Sequence, residues 1–403
     1  MKRITVLWCG CLLAASGFAQ SATLNLEQAL ELARQHSPAL TAARMHTQAA
    51  QKAVSAAGLW QNPILHFEAE GIGGDLDGFS DTEYTLAVAQ NFQFGGLRQN
   101  ERLVAQRAVD VVLRQEAERE LALMAEVRSA FLDVVSQQEI GTVRAEQEQL
   151  GRAFVEVAKA RHRAGNSSEL AVVQAELALE EIALSQTCCF GDLEAARIRL
   201  ASLIGLPEKE MGELIGDFYE FAPIEQQALP ESHPALRRLD AEIAMAHAEA
   251  ARAKSKDAAN VMLGAGYRYE SAGNAGTFVF EASMPLNFVR GGRAEQAAAL
   301  TRAEALQSDR AELRRDHQQR LATLIAMYNG SRMEAEMLRD RLMPKAEQTY
   351  NLSKDGYDIG RFSWFELITA QQQLAEIKVR YIESLRQVHA TRAEITKFMK
   401  EGI

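Results

Sequence analysis

The residues able to carry chemistry are scattered along this chain and do not converge. Its eight histidines stand at 36, 46, 66, 162, 233, 247, 317 and 389, and no two have the i, i+4 spacing that pairs metal ligands on a helix. Serine, histidine and aspartate occur without the nucleophile-elbow signature of a hydrolase. Gly71-Ile72-Gly73-Gly74 resembles a phosphate loop only superficially. It lies between two strand-like stretches, whereas a phosphate loop leads from a strand into a helix. Cys188 and Cys189 offer two soft thiolates, half of a tetrahedral zinc site. Adjacent cysteines rarely bridge each other, so no disulfide framework is expected. These residues imply neither an enzyme nor a cofactor.

Two short motifs do recur. Ala164-Gly165-x-x-Ser168 matches Ile359-Gly360-x-x-Ser363, with Ala175 and Ala370 equally far beyond the glycine. A left-handed glycine that ends one helix and a serine that caps the next explain each motif locally. Their recurrence leaves room for docking. The second motif, Asn91-Phe92-Gln93-Phe94-Gly95-Gly96, returns 196 positions later as Asn287-Phe288-Val289-Arg290-Gly291-Gly292. The same offset joins Pro38-Ala39-Leu40 to Pro234-Ala235-Leu236, and Arg114 and Glu116 to Arg310 and Glu312. The chain is an internal duplication.

Each Gly-Gly pair sits where the hydrophobic period changes from strand-like to helical, and paired glycines tolerate the sharp turn this needs. Ahead of the first pair, Leu65, Phe67, Ala69 and Gly71 alternate with His66, Glu68 and Glu70. Beyond a Gly/Asp loop, Tyr84, Leu86, Val88 and Phe92 alternate with Glu83, Thr85, Ala87 and Asn91. The second half repeats this with Val261 to Glu270 and Phe278 to Met284. Four strands of about 9–11 residues result, long enough to cross a bilayer at a tilt. A hairpin alone is marginal, so these strands are expected to close with copies of themselves into a barrel.

The remainder reads as helix. Leu26, Ala29, Leu30 and Ala33 share one face of a short helix, and Ser37 is expected to cap an alanine-rich helix opened by Pro38. From Leu97 to Gly165 the pattern runs unbroken, about 100 Å of helix. A partner helix returns to Leu203. The second half has a helix over Pro234–Lys256, a long helix from Arg293 that Pro344 should kink or split, and a closing helix from Ser363 to Lys400.

At 403 residues with net charge −10, the chain has no basic footprint for nucleic acid. Lys2-Arg3, the apolar run Ile4 to Ala15 and Gly17-Phe18-Ala19 form a signal peptide, with cleavage expected after Ala19 or alternatively Ser21. Cys9 and Cys11 fall inside it and match a lipobox poorly. The expected division is 1–19 signal peptide, 20–206 first repeat, 207–230 linker packed as a belt, and 231–403 second repeat.

With this plan the chain resembles the TolC family of outer membrane efflux proteins over nearly all its mature length. Within it, Leu59-x-x-Asn62-Pro63 and Phe94-Gly95-Gly96-Leu97-Arg98 resemble the CzcC-like branch, which serves heavy-metal cation pumps of the resistance-nodulation-division type. The resemblance implies a mainly α fold with a membrane β-barrel portion. Three copies would share twelve strands in an outer membrane barrel above a helical periplasmic tunnel. It implies a passive exit duct working with a periplasmic adaptor and an inner membrane pump. Glu366, six residues past Gly360, matches a carboxylate ring that closes the family's tunnel, while Thr369 replaces a further carboxylate. Tyr357 matches a tyrosine that latches the closed tip, and Gly165, Ser168, Gly360 and Ser363 would meet the adaptor. A duct for multidrug or general type I export is the alternative; a periplasmic adaptor would carry lipoyl-like and β-barrel segments and need no two equivalent hairpins, and a structural periplasmic coiled coil is a further rival.

Overall fold

The computed structural model describes residues 23–72, 82–224, 228–258, 260–285 and 291–399. The signal peptide, Asn287 and most of the second junction motif lie outside them. After a two-residue strand β1 (Leu24–Asn25) come helices α1 (Leu26–His36) and α2 (Pro38–Ala56). Strands β2 (Ile64–Glu70) and β3 (Glu83–Gln93) precede the long antiparallel pair α3 (Leu97–Arg163) and α4 (Glu169–Ile204). A short strand β4 (Leu214–Ile215) lies in the inter-repeat segment. The second half runs through α5 (Pro234–Ser255), β5 (Asn260–Glu270), β6 (Ala275–Ser283), α6 (Gly291–Met337), α7 (Met343–Asp358) and α8 (Trp364–Met399).

The helices pack as a layer in which α3 and the α6–α7 arm run the length of the molecule. Near the sheet, α2 lies on α3, and α5 lies between α3 and α6. Farther away, α4 lies on α3, and α8 lies between α3 and the α6–α7 arm. Pro344 interrupts that arm as expected. A π-helical turn, Leu338–Leu342, precedes it, and α7 opens around the proline, whose missing N–H needs no partner there. Ser37 departs from expectation. Its side chain makes no capping bond; it is buried, and its carbonyl accepts from the Thr41 amide and hydroxyl instead. The working cap nearby is Asn25, which exchanges bonds of 2.8 and 3.0 Å with Gln28 in a capping box.

The main core lies midway along the layer, where Val127, Ala130, Phe131 and Val134 of α3 meet Leu200 and Ile204 of α4 and Leu385 of α8. Complete burial of a side chain such as Phe131 contributes about 1.5–3 kcal/mol. The inter-repeat segment is tied into this level. Its β4 pairs in parallel with β1, and Phe218 is buried against the His389 ring, whose Nε2–H donates to the Phe218 carbonyl at 2.6 Å. Burial lowers the His389 pKa, keeping the ring neutral and suited to that role. The Tyr328 hydroxyl donates to the Ala222 carbonyl at 2.5 Å. The segment thus crosses α3, α8 and α6 in turn.

The four longer strands form one antiparallel sheet in the order β2-β3-β5-β6. Strand β2 has 7 residues, fewer than expected, because Pro63 precedes it and Gly71 turns left-handed after it. Register assigns the two faces. Leu65, Phe67, Leu86, Val88, Tyr267, Phe278 and Phe280 share one, and Phe278 and Phe280 are 79% and 82% exposed. The other carries Glu68, Glu70, Glu83, Arg268, Glu270 and Glu281 among small residues. On that face Thr85, Ala87 and Ala89 are buried. The polar face is therefore the sheltered one, the reverse of a soluble sheet.

Both strand-to-helix junctions meet the C-terminal end of α5. Gly95 and Gly96 have φ of 73° and 77°, and a Cβ on Gly95 would stand 2.3 Å from Cβ of Ala258. Of the second junction motif only the glycine pair is described, and it is helical. Gly291 and Gly292 are the first residues of α6, and Gly292 donates its amide to Asp257 at 3.0 Å. A Cβ there would lie 2.4 Å from the Ala253 carbonyl oxygen, so close approach requires this glycine. Asn91 donates from its side chain to Gln61 at 2.8 Å, and Asn100 to Ser255 at 2.6 Å.

Gly95→Ala and Gly165→Ala separate backbone strain from crowding. Both positions are left-handed, at about 1–2 kcal/mol for a non-glycine residue, but only Gly95 also meets a neighbour. Gly95→Ala is expected to lose about 1–3 kcal/mol more, read as a lower midpoint in thermal unfolding followed by circular dichroism. Equal midpoints would contradict the close packing of Gly95 on Ala258.

Candidate functional site

At the end of the layer far from the sheet, the α3–α4 and α7–α8 turns stand side by side with matching geometry. Gly165 and Gly360 have φ of 74° and 75°. The amide three residues past the end of each preceding helix closes a wide turn: Asn166 donates to the Arg161 carbonyl and Arg361 to the Gly356 carbonyl. No heavy atom lies within 4 Å of a Cβ built on either glycine, so both open to solvent. Ser168 and Ser363 then cap α4 and α8, accepting from the amides of Ala171 and Glu366 at 3.4 Å.

Glu366 has a definite local partner. Its carboxylate accepts from the Ser363 amide at 2.6 Å and the Ser363 hydroxyl at 2.8 Å, completing a capping box at the start of α8. These bonds, the backbone one foremost, lower its pKa and hold it ionised at the surface. Tyr357 is buried, and burial raises its phenol above the ordinary range. The Arg161 guanidinium lies 4.0 Å over its ring, and Trp364 packs near it. Phe154 meets Trp364 edge-on, with centroids 4.9 Å apart.

A cleft of about 300 Å³ between the two turns is lined by Arg161, Ser167, Tyr357, Phe362, Ser363 and Trp364. Of the residues singled out in sequence, it gathers Tyr357 and Ser363. Glu366, Gly165, Ser168 and Gly360 lie outside its lining. Arg161, Phe362 and Trp364 escaped sequence reading, because a lone arginine or aromatic near a helix end has no distinguishing spacing. Leu170, Val173, Leu177, Ile359 and Phe365 are exposed around the turns, an apolar surface unpartnered within the chain.

On the sheet's sheltered face, Arg268 binds Glu83 at 2.8 Å and the Thr85 hydroxyl at 3.0 Å, with Glu70 at 3.9 Å. One arginine thus stands among five glutamates, leaving the face acidic. No group of three or more histidine, cysteine, aspartate or glutamate side chains among the described residues is placed to hold a metal. Cys188 is exposed on α4, and Cys189 packs partly against the core.

Residues 29–206 match the family described as outer membrane efflux protein. The chain is 22% identical over 380 residues to the cobalt-zinc-cadmium resistance protein CzcC of Cupriavidus metallidurans, covering 93% of this chain and 90% of that protein. Among solved structures it is similar to CusC, with TM-score 0.76, 15% identity and coverage of 94% of this chain and 92% of that one. It is also similar to the outer-membrane channel OprN, with TM-score 0.75, 16% identity and coverage of 94% and 90%. The architecture is that of TolC-type channels. Over residues 29–206 the chain thus matches the outer membrane efflux protein family, and the fold of the whole is similar to that of solved outer membrane channels.

Proposed function

We propose that this protein is the outer membrane duct of a tripartite efflux system for heavy-metal cations, working as a homotrimer with a periplasmic adaptor and an inner membrane pump of the resistance-nodulation-division type. One observation carries the duct: a sheet with an apolar aromatic face outward, a charged face sheltered, and both edge strands, β2 and β6, without a partner among the described residues. In lipid every backbone N–H and C=O needs a partner, so such a sheet has to close. Three copies would supply twelve strands, apolar toward lipid and acidic toward the lumen. The helical layer ends in the same way. Leu177, Leu184 and Ile198 of α4 are exposed along one edge, and Met327, Met333 and Met337 of α6 along the other. Edge-to-edge packing would close the layer into a tunnel extending into the periplasm.

The metal assignment rests on the similarity to CzcC along most of both chains and is supported by the acidic lumen-side face, which favours cations. In this reading Glu366 and Tyr357 serve the closed tip, three copies of Glu366 ringing the pore, and the open glycines 165 and 360 receive the adaptor.

A deletion strain is expected to be hypersensitive to divalent metals alone, with resistance restored by the gene in trans. Hypersensitivity confined to dyes, detergents or antibiotics would instead place the duct in multidrug or general export. Glu366→Gln removes the charge while keeping an amide able to complete the capping box. Purified Glu366→Gln channels in planar bilayers should show a cation-over-anion permeability ratio lowered by about two-fold; an unchanged reversal potential in a salt gradient would remove Glu366 from the gate. Gly165→Trp and Gly360→Trp project bulk into open space, whereas Gly165→Asn tolerates the left-handed turn without that bulk. The tryptophan variants should abolish resistance with trimers still in the membrane, and the asparagine variant should retain it. Full resistance in the tryptophan variants would exclude these turns as the docking point.

A further inference from the structure

Far from both the tip and the sheet, a cleft of about 540 Å³ opens where α1 and the inter-repeat segment lie against α3 and α8. Its volume suits a small molecule. Arg128 of α3 and Arg392 of α8 enter it from the helical layer, Glu27 from α1, and Asp217 and Glu220 from the inter-repeat segment. Ile215 of the inter-repeat segment supplies an exposed apolar surface beside them.

None of these five charged side chains makes an ion pair or a side-chain hydrogen bond among the described residues. Several half-buried arginines elsewhere are paired with carboxylates: Arg34 with Glu120, Arg238 with Glu118 and Glu242, Arg268 with Glu83, and Arg310 with Asp240. Arg128 has no such partner. Burial and the neighbouring Arg392 guanidinium both lower its pKa, with no carboxylate near enough to offset them. Two unpaired guanidiniums in one cleft form a recognition element for a carboxylate, which each can bind through parallel N–H donors. A simple anion would meet the field of three carboxylates, and a simple cation that of two arginines.

We propose that this cleft binds a small zwitterion of the amino-acid or dipeptide class, its carboxylate between Arg128 and Arg392, its ammonium toward Asp217 and Glu220, and its apolar side chain over Ile215. Such a ligand joins the inter-repeat segment to α3 and α8 and stabilises the middle of the layer by mass action. The site is independent of the duct reading and of the transported cargo.

The test is calorimetric titration of the purified, detergent-solubilised full chain with leucylglycine, N-acetylleucine and leucinamide, which carry both charges, the carboxylate alone and the ammonium alone. Saturable binding of leucylglycine is expected, with each single-charge analogue weaker by about ten-fold or more. Arg128→Gln should lose that binding while keeping the wild-type circular dichroism spectrum. Exposed Arg392 offers a second variant, because Arg392→Lys keeps the charge but loses the planar fork and should weaken binding by about ten-fold. No saturable binding by folded wild-type protein would overturn the proposal, whether the cleft is empty or filled by a neighbouring copy. So would equal affinity for N-acetylleucine, which marks a plain anion site, or unchanged binding in folded Arg128→Gln.

Discussion

An open β-sheet leaves the N–H and C=O groups of its edge strands without partners, and the rest of this molecule is arranged around that deficit. Strands β2 and β6 bound a four-stranded sheet whose apolar face, led by Phe278 and Phe280, has nothing among the described residues to cover it. A soluble protein would bury that face beneath helices. Here the helices leave the sheet end-on, so they cannot serve as a covering layer. The polar face is sheltered instead, with Arg268 drawn to Glu83 and small residues such as Ala87 and Gly266 allowing close approach. In the proposed duct the sheet is one part of a wall completed by further copies of the chain.

Helices that continue strands need a firm junction, and the end of α5 provides it for both halves. Gly95 passes over Ala258, Gly292 over the Ala253 carbonyl, and Asp257 takes up the α6 amide that would otherwise lack a partner. The duplicated glycines thus perform unequal tasks: one pair bends left-handed, while the other opens a helix and permits contact. Midway along the layer, the inter-repeat segment binds α3, α6 and α8 through Phe218, His389 and Tyr328. Length is preserved by α3 and α6, and the π turn before Pro344 admits a proline without ending the α6–α7 arm.

At the tip, one carboxylate has two possible employments. Glu366 closes the α8 capping box, which holds it ionised and fixes its place near the end of the layer. A charge held in that way is available to a pore at little further conformational cost, so the structural and electrostatic roles are compatible. Tyr357 is different in kind, a buried ring clamped by Arg161 and Trp364, and it joins the two turns into one unit.

The sequence by itself determined the duplication, the long helices, the alternation of the four strands and the glycines that end α3 and α7. These are local: period 2 or 3.6, helix caps and left-handed turns depend on neighbours within a few residues. It misjudged Ser37, because a serine before Pro38 caps only if its side chain is free to reach back, and packing buries this one. It could not separate the roles of the two Gly-Gly pairs, since identical residues met different partners on α5. Only the tertiary structure decided which sheet face is sheltered and brought Tyr357 under Arg161, residues 196 positions apart. It alone placed Arg128 beside Arg392 and Asp217 in one cleft. Such contacts join elements distant in the chain, and no periodicity records which of them will meet.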